Sequence, residues 1–407
     1  MYIKRSLEDK ILEASKNYPI IMVCGQRQVG KSTMLYNIKE DNRKYVSLDD
    51  FNARRLALDD VDLFFETYGY PLFIDEFQRA PNLLLKIKDI VDKLGYEGKD
   101  NNGLFWLSGS QKFKMMKNVS DSLAGRVAIF NMSSLSFLEI NNKKDLPFFP
   151  SIESLKKKEI ISFDVHSIYE MIFKGSMPKL YSSNIDRNSY YSNYINTYID
   201  RDIKEMNLVG KINEFYNFLV YLASRTSCEL HYEEISKSIG VSSPTIKEWV
   251  NILERCGIIF LLKPYQNKLS DRLIKNPKVY FMDTGLACYL TRWPNSETLE
   301  NGIMDGAILE TYVVSEIVKR YLNNGLDINN LYYYRDFEKK EIDLLFIDNN
   351  DIYPIEIKKN KSPNHPDKSF SCLKKFNLNI KPGIIICLSN ELIPYNKECY
   401  YCPISLI

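Results

Sequence analysis

The stretch IIMVCGQRQVGKSTMLYNI, Ile20 to Ile38, constrains this chain more than any other. Residues Gly25 to Ser32 satisfy G-x-x-x-x-G-K-[ST] at every fixed position. An apolar strand candidate runs into the first glycine, and a helical pattern leaves through Ser32 and Thr33. Glycines let the backbone curl so that successive N–H groups face one anion, and the helix that follows turns its positive end to the same place. The loop Gly25, Gln26, Arg27, Gln28, Val29, Gly30, Lys31, Ser32 and Thr33 is therefore expected to cradle nucleotide phosphates. Lys31 would supply a point charge, and Ser32 a hydroxyl for Mg²⁺.

A second apolar run, YPLFIDEF, ends in Asp75 and Glu76. An acid at a strand end can hold the water shell of Mg²⁺, and its neighbour can take a proton from an attacking water. The pair reads as a Walker B element of a hydrolase. A third run, GLFWLSGSQ, brings Ser110, and less directly Gln111, to a strand end where a hydroxyl could touch the γ-phosphate or align the water. Arg126, after a helix-like stretch, is read either as a finger or sensor for the transferring phosphoryl group or as a surface arginine.

Together GQRQVGKST, FIDEFQ, LSGSQ and SLAGR resemble the AAA-type P-loop ATPases of bacteria and archaea. More narrowly they resemble the group in which that ATPase is fused to a C-terminal domain of unknown function. The resemblance implies a parallel sheet flanked by helices, with ATP and Mg²⁺ as ligands. The strings GSMP (175–178) and YIDRDI (198–203) are similar to the same group and assign no role to Arg201 or Asp202.

At 407 residues the chain has room for two or three domains. A formal net charge of +2 gives no prior for a strongly basic nucleic-acid binder, and excludes no local basic groove. The N-terminus carries mixed charge and no apolar leader pattern, and no run is long enough to cross a bilayer. Eight cysteines lie scattered, mostly in apolar runs, which favours a reducing cytoplasm. Cys399 and Cys402 form a lone C-x-x-C, and strand-end thiols are a simpler reading of it than zinc.

A charged, proline-containing stretch from Asn141 to Lys158 is read as a boundary. Tyr190, Tyr191, Tyr194 and Tyr198 then fall near one helical stripe, as a packed helical lid or, alternatively, a base-stacking surface. From Leu230 the pattern predicts a helix over Tyr232–Ser238, a turn at Gly240, a second helix capped at Ser243 with Pro244 in its first turn, and a wing strand. Thr245, Lys247 and Lys263 are candidate DNA contacts; a structural lid is the alternative.

The last third reads α-β-β-β-α-β. Asp343 lies on its second strand; Glu356 and Lys358 share one face at the end of the third. With Glu310 from the preceding helix, these could hold Mg²⁺ while the lysine orients a water against a phosphodiester. This resembles the PD-(D/E)xK nuclease core over residues 305–390, without the proline that often precedes the first acid.

The expected architecture is α/β. An AAA-like P-loop domain with a parallel sheet (1–140) precedes a helical lid or linker region (141–228) and a winged helix-turn-helix (229–265). A restriction-endonuclease-like α/β domain (266–407) follows. Expected partners are ATP, DNA through the winged helix or the last domain, or another protein; oligomerisation is open, and no membrane is expected.

Overall fold

A computed structural model describes residues 2–110, 123–199, 211–266 and 276–407. The strands β1 (Ile20–Gly25), β2 (Lys44–Ser47), β3 (Leu72–Asp75), β4 (Phe105–Gly109) and β5 (Val127–Met132) form one sheet. Its order is β2-β3-β4-β1-β5, and every pairing is parallel. Helices α1 (Leu7–Ala14), α2 (Lys31–Ile38), α3 (Phe51–Asp59), α4 (Val61–Tyr68) and α5 (Leu83–Tyr96) cover it. Strands covered on both faces read as unbroken apolar runs, which is why IIMVC and LFI carry no polar residue.

Side-chain alternation still sorts these strands. Ile21, Val23, Phe73 and Trp106 join the core that holds Leu7, Ile11, Met34 and Leu35. Ile20, Met22, Cys24, Ile74, Phe105 and Leu107 join another with Phe64, Phe65, Leu83 and Ile87. Because the strands are parallel, Gly25, Asp75 and Gly109 all end at one edge of the sheet.

The middle of the chain is helical: α6 (Val165–Lys174), α7 (Arg187–Tyr194), α8 (Ile212–Ser224), α9 (Tyr232–Ile239) and α10 (Ser243–Arg255). Tyr190, Tyr191 and Tyr194 are buried core residues, as a packed lid requires, and the side chain of Tyr198 lies outside the described residues. Gly240, in the left-handed region at φ 81°, ends α9. The cap of α10 is Ser242, one residue before the expected Ser243, and its hydroxyl accepts from the Thr245 amide. Trp249 packs against Phe215 and Phe218 at ring distances of 5.1 and 5.4 Å.

The strand β6 (Ile259–Leu262) pairs antiparallel with β7 (Lys278–Phe281). That partner lies beyond the expected boundary at 266, and α11 (Thr284–Leu290) returns to pack on α6 and α8. The β6–β7 ribbon thus spans the expected boundary at 266.

The long helix α12 (Asp305–Leu322) opens the last part. Then come β8 (Leu331–Arg335), β9 (Glu341–Asp348), β10 (Asp351–Ile357), β11 (Asn379–Ile380), β12 (Gly383–Cys387), β13 (Ile393–Asn396) and β14 (Cys399–Pro403). The sheet order is β13-β14-β12-β10-β9-β8, with β11 beside β10. β8, β9 and β10 are antiparallel neighbours, while β12 runs parallel to β10. The expected charged helix is a 3₁₀ segment, Lys368–Lys375. Amides of Tyr265 and Tyr333 donate to the carbonyls of Tyr333 and Lys263, so the β6 ribbon is stitched to β8.

Candidate functional site

Gly25 sits at φ 147°, and a Cβ there would lie 2.0 Å from the Met132 carbonyl oxygen. Gly30, at φ 93°, precedes α2 in the left-handed region, and Gln28 is left-handed too, at φ 62°. The loop therefore curls as the motif demands. Lys31 is buried; its Nζ donates to the carbonyls of Gly25 (3.0 Å) and Gln26 (2.8 Å). Burial lowers its pKa to about 8, against the pull of Glu76 and Asp75.

The Ser32 hydroxyl donates to Asp75 Oδ1 at 2.8 Å. Ser108 Oγ, at the end of β4, donates to the same oxygen, and Tyr45 OH reaches Oδ2 at 3.4 Å. Asp75 is thus held by three neutral hydroxyls. Glu76 adopts φ 52° and starts the turn Phe77–Arg79, where Gln78 Nε2 donates to its Oε2. The donor set suits a triphosphate with Mg²⁺: a lysine on carbonyls, a serine–aspartate pair and a second acid beside them. Two buried oxygens nearby, Gln28 Oε1 and Ser110 Oγ, have no hydrogen-bond partner among the described residues. A cavity of about 200 Å³ adjoins the loop, lined in part by Tyr2, Ile3, Gly30, Thr33, Leu135 and Pro178.

The structure does not bring Arg126 to this site. Arg126 precedes β5, at the sheet edge opposite Gly25, and its Nε and NH2 donate to both oxygens of Asp92 (2.5 and 3.1 Å). Five strand residues separate that edge from the loop, roughly 17 Å. Gln111, the other candidate at the β4 end, lies outside the described residues, as do Arg201 and Asp202. Sequence reasoning missed Ser108 and Tyr45. Ser108 was findable in principle, since a polar residue ending an apolar strand faces whatever its neighbour β3 presents. The loop also touches the middle region: Gln26 Nε2 donates to Tyr194 OH at 3.0 Å.

At the C-terminal cluster, Asp343, Glu356 and Lys358 come together as expected. Asp343 Oδ2 accepts the Ile357 amide at 2.8 Å, and Lys358 Nζ lies 2.6 Å from Glu356 and 3.5 Å from Asp343. Burial and the Asp343 charge push the Glu356 carboxyl well above its usual range. Glu310 faces a lysine of β7. It accepts from Lys278 Nζ (3.1 Å) and Tyr280 OH (2.6 Å), and Lys278 also lies 2.5 Å from Glu341. Among the described residues no three His, Cys, Asp or Glu side chains are grouped to hold a metal ion. Of the expected cluster, Glu310 is bonded to a buried lysine from β7 and also feels the Asp343 charge, which with burial raises its pKa to about 7. The signal was the lone charge opening the buried strand KVYF.

On α10, Lys247, Glu248, Asn251, Glu254 and Arg255 form an exposed face of mixed charge. Lys263 is exposed, while its backbone is engaged with β8. All eight cysteines are free thiols. Among the described residues no helix is long and apolar enough to cross a membrane.

Residues 17–141 match the family model described as AAA domain. Residues 165–297 and 305–407 match two models, each described as a domain of unknown function (DUF8612 and DUF4143). The uncharacterized protein Rv2008c of Mycobacterium tuberculosis is 23% identical over 364 residues, 88% of this chain and 75% of that protein. The uncharacterized protein MJ1637 of Methanocaldococcus jannaschii is 23% identical over 344 residues, 75% of this chain and 68% of that protein. Among solved structures, the Walker-type ATPase PABY2304 of Pyrococcus abyssi aligns with a TM-score of 0.40 at 13% identity, covering 71% of this chain and 96% of that one. A point variant of Thermotoga maritima RuvB aligns at 0.31 and 13%, covering 66% and 93%. The N-terminal part is thus AAA-like and carries a P-loop. The C-terminal part is a mixed α/β sheet domain.

Proposed function

We propose that this protein is a Mg²⁺-dependent ATP hydrolase whose nucleotide state governs its middle and C-terminal parts. The reading rests above all on Asp75, which receives the Ser32 hydroxyl while the adjacent Glu76 acts on the buried Lys31. Main-chain N–H groups of Gly25–Thr33 and the Lys31 ammonium hold the phosphates. Ser32 and Asp75 hold Mg²⁺, which when bound offsets phosphate charge. Glu76, steadied by Gln78, accepts a proton from the attacking water, and Ser110 aligns that water. Arg126 takes no part within its own chain. The cavity beside Gly30 and Thr33 suits the nucleoside. Eight free thiols favour a reducing compartment such as the cytoplasm.

Phosphate release with and without Mg²⁺, together with ATP titration, tests this. Lys31→Ala is expected to lose ATP binding. Glu76→Gln is expected to keep binding and lose turnover by roughly 10²–10⁴-fold. Undiminished ATP binding by Lys31→Ala would overturn the reading.

One observation favours a second activity, cleavage of DNA through the winged-helix and nuclease-like parts. Among the described residues Glu356 Oε1, beside Asp343 and Lys358, is buried with no hydrogen-bond partner. Its test is metal-dependent nicking of plasmid DNA that Asp343→Ala or Lys358→Ala abolishes; no DNA affinity at low salt would exclude it.

A further inference from the structure

A buried polar chain joins the phosphate loop to the C-terminal part of the sequence. Arg5, only 3% exposed, donates from NH1 to the Val29 carbonyl at 2.7 Å. From NH2 it donates to the carbonyls of Ser133 (2.7 Å) and Ser134 (3.2 Å), just after β5. Its Nε is ion-paired with Glu139 at 3.2 Å. Glu139 also accepts from the Ser6 and Ser136 amides and, at 3.0 Å, from Asn323 Nδ2. Asn323 follows the last residue of α12 and is fully buried. It accepts from the Ser133 amide and donates to the Ser134 carbonyl, each at 3.0 Å.

The direction of these bonds matters. The Val29–Gly30 peptide is trans, so its carbonyl and its N–H point opposite ways. A guanidinium that grips the Val29 carbonyl turns the Gly30 N–H away from Arg5, as one of the loop amides a phosphate would need. Glu139 and Asn323 in turn hold Arg5 and the carbonyls it grips.

We propose that the C-terminal domain is built into the nucleotide site, with Asn323 and Arg5 as positioning residues that fix the phosphate loop through the Val29 carbonyl. The inference rests on the reading of Gly25–Thr33 as a nucleotide site, and it adds to that site two residues outside the span matched by the AAA model, 17–141. ATP affinity then depends on how α12 sits. Glu310 on the same helix touches the Lys278 cluster, so one rigid element meets both regions.

The experiment is calorimetric titration of the full chain with Mg·ATP, with turnover and thermal unfolding measured on the same samples. Arg5→Ala and Asn323→Ala are each expected to weaken binding by about tenfold, because the first orphans the Val29 carbonyl of the loop and the second the buried Ser133, Ser134 and Glu139 groups that hold Arg5. At saturating ATP, kcat stays within about threefold, since Asp75 and Glu76 are untouched. In the double variant the losses overlap instead of adding. Arg5→Lys, which keeps a cation on Glu139 and reaches fewer carbonyls, gives a smaller loss and carries the test if Arg5→Ala does not fold. Thr311→Val controls for stability alone: Thr311 is buried in the same helix and bonds Thr226 at 2.8 Å, away from the loop. It should melt lower and bind ATP as before. Unchanged affinity in folded Asn323→Ala, additive losses, or an equal loss in Thr311→Val overturns this inference while Lys31→Ala still marks the site. If the unmutated chain binds no ATP, both readings fall.

Discussion

The two acidic sites differ in what holds their acids. At the phosphate loop, Asp75 is bonded by the hydroxyls of Ser32, Ser108 and Tyr45, and Lys31 by two carbonyls. At the C-terminal cluster, Glu310 and Glu341 share Lys278, and Glu356 and Asp343 share Lys358. The lysines register the contrast. Burial lowers Lys31, and likewise Lys158, whose Nζ donates to the Leu406 carbonyl at 2.9 Å. Lys278 and Lys358 are raised instead, because the attraction of the carboxylates outweighs burial. Neutral partners can be exchanged for a charged ligand at modest cost, whereas each lysine of the C-terminal cluster is already shared by two acids.

The largest effect expected from the contrast is at Lys278. Lys278→Met takes the cation from the partly buried Glu310 and Glu341, of which Glu341 keeps Arg335 at 3.7 Å, and should cost about 3 kcal/mol in denaturant unfolding. Those carboxyls then bind protons more readily folded than unfolded, so the variant recovers stability as pH falls. An unaltered unfolding curve would break the comparison.

Lys158 sharpens it through pH. Burial, with Arg320 nearby, lowers its folded pKa to about 7, against the weaker pull of Cys402 and Asp145. Between that value and the ordinary lysine range the unfolded chain holds a proton that the folded one lacks. Stability therefore rises with pH across this window, by about 2 kcal/mol from pH 7 to 9. Lys158→Met should flatten that slope, measured by urea titration at both pH values.

Ser108→Ala removes one hydroxyl from Asp75 and should lower turnover by about fivefold, roughly 1 kcal/mol, with ATP affinity little changed. Lys31→Met gives the smallest stability change, within about 1 kcal/mol, since it removes a buried cation that has no carboxylate bonded to it. Its melting should stay near that of the unmutated chain while ATP binding is lost.

Much of this was legible in the sequence where the chemistry is local. Gly25, Gly30, Lys31 and Ser32 are neighbours along the chain, and backbone rules alone place them on one loop. Asp75 and Glu76 were legible because a parallel strand must end at that same edge. The helix pair around Gly240 was legible through its turn and its proline. Arg126 was not, because the sequence does not say whether β5 runs parallel or antiparallel to β1, which decides the edge at which its first residue falls. Glu310 was not, because its counter-ion comes from a strand more than thirty residues away.

The sequence by itself determined the nucleotide loop, its acidic strand and the broad α/β order, since backbone conformation and side-chain period act over a few residues. Only the tertiary structure decided that Ser108 bonds Asp75, that Lys278 fills the carboxylate cluster, and that Asn323 reaches the loop through Glu139 and Arg5. Those pairings join residues far apart in the chain, and burial makes each charge take whichever partner the packing brings within reach.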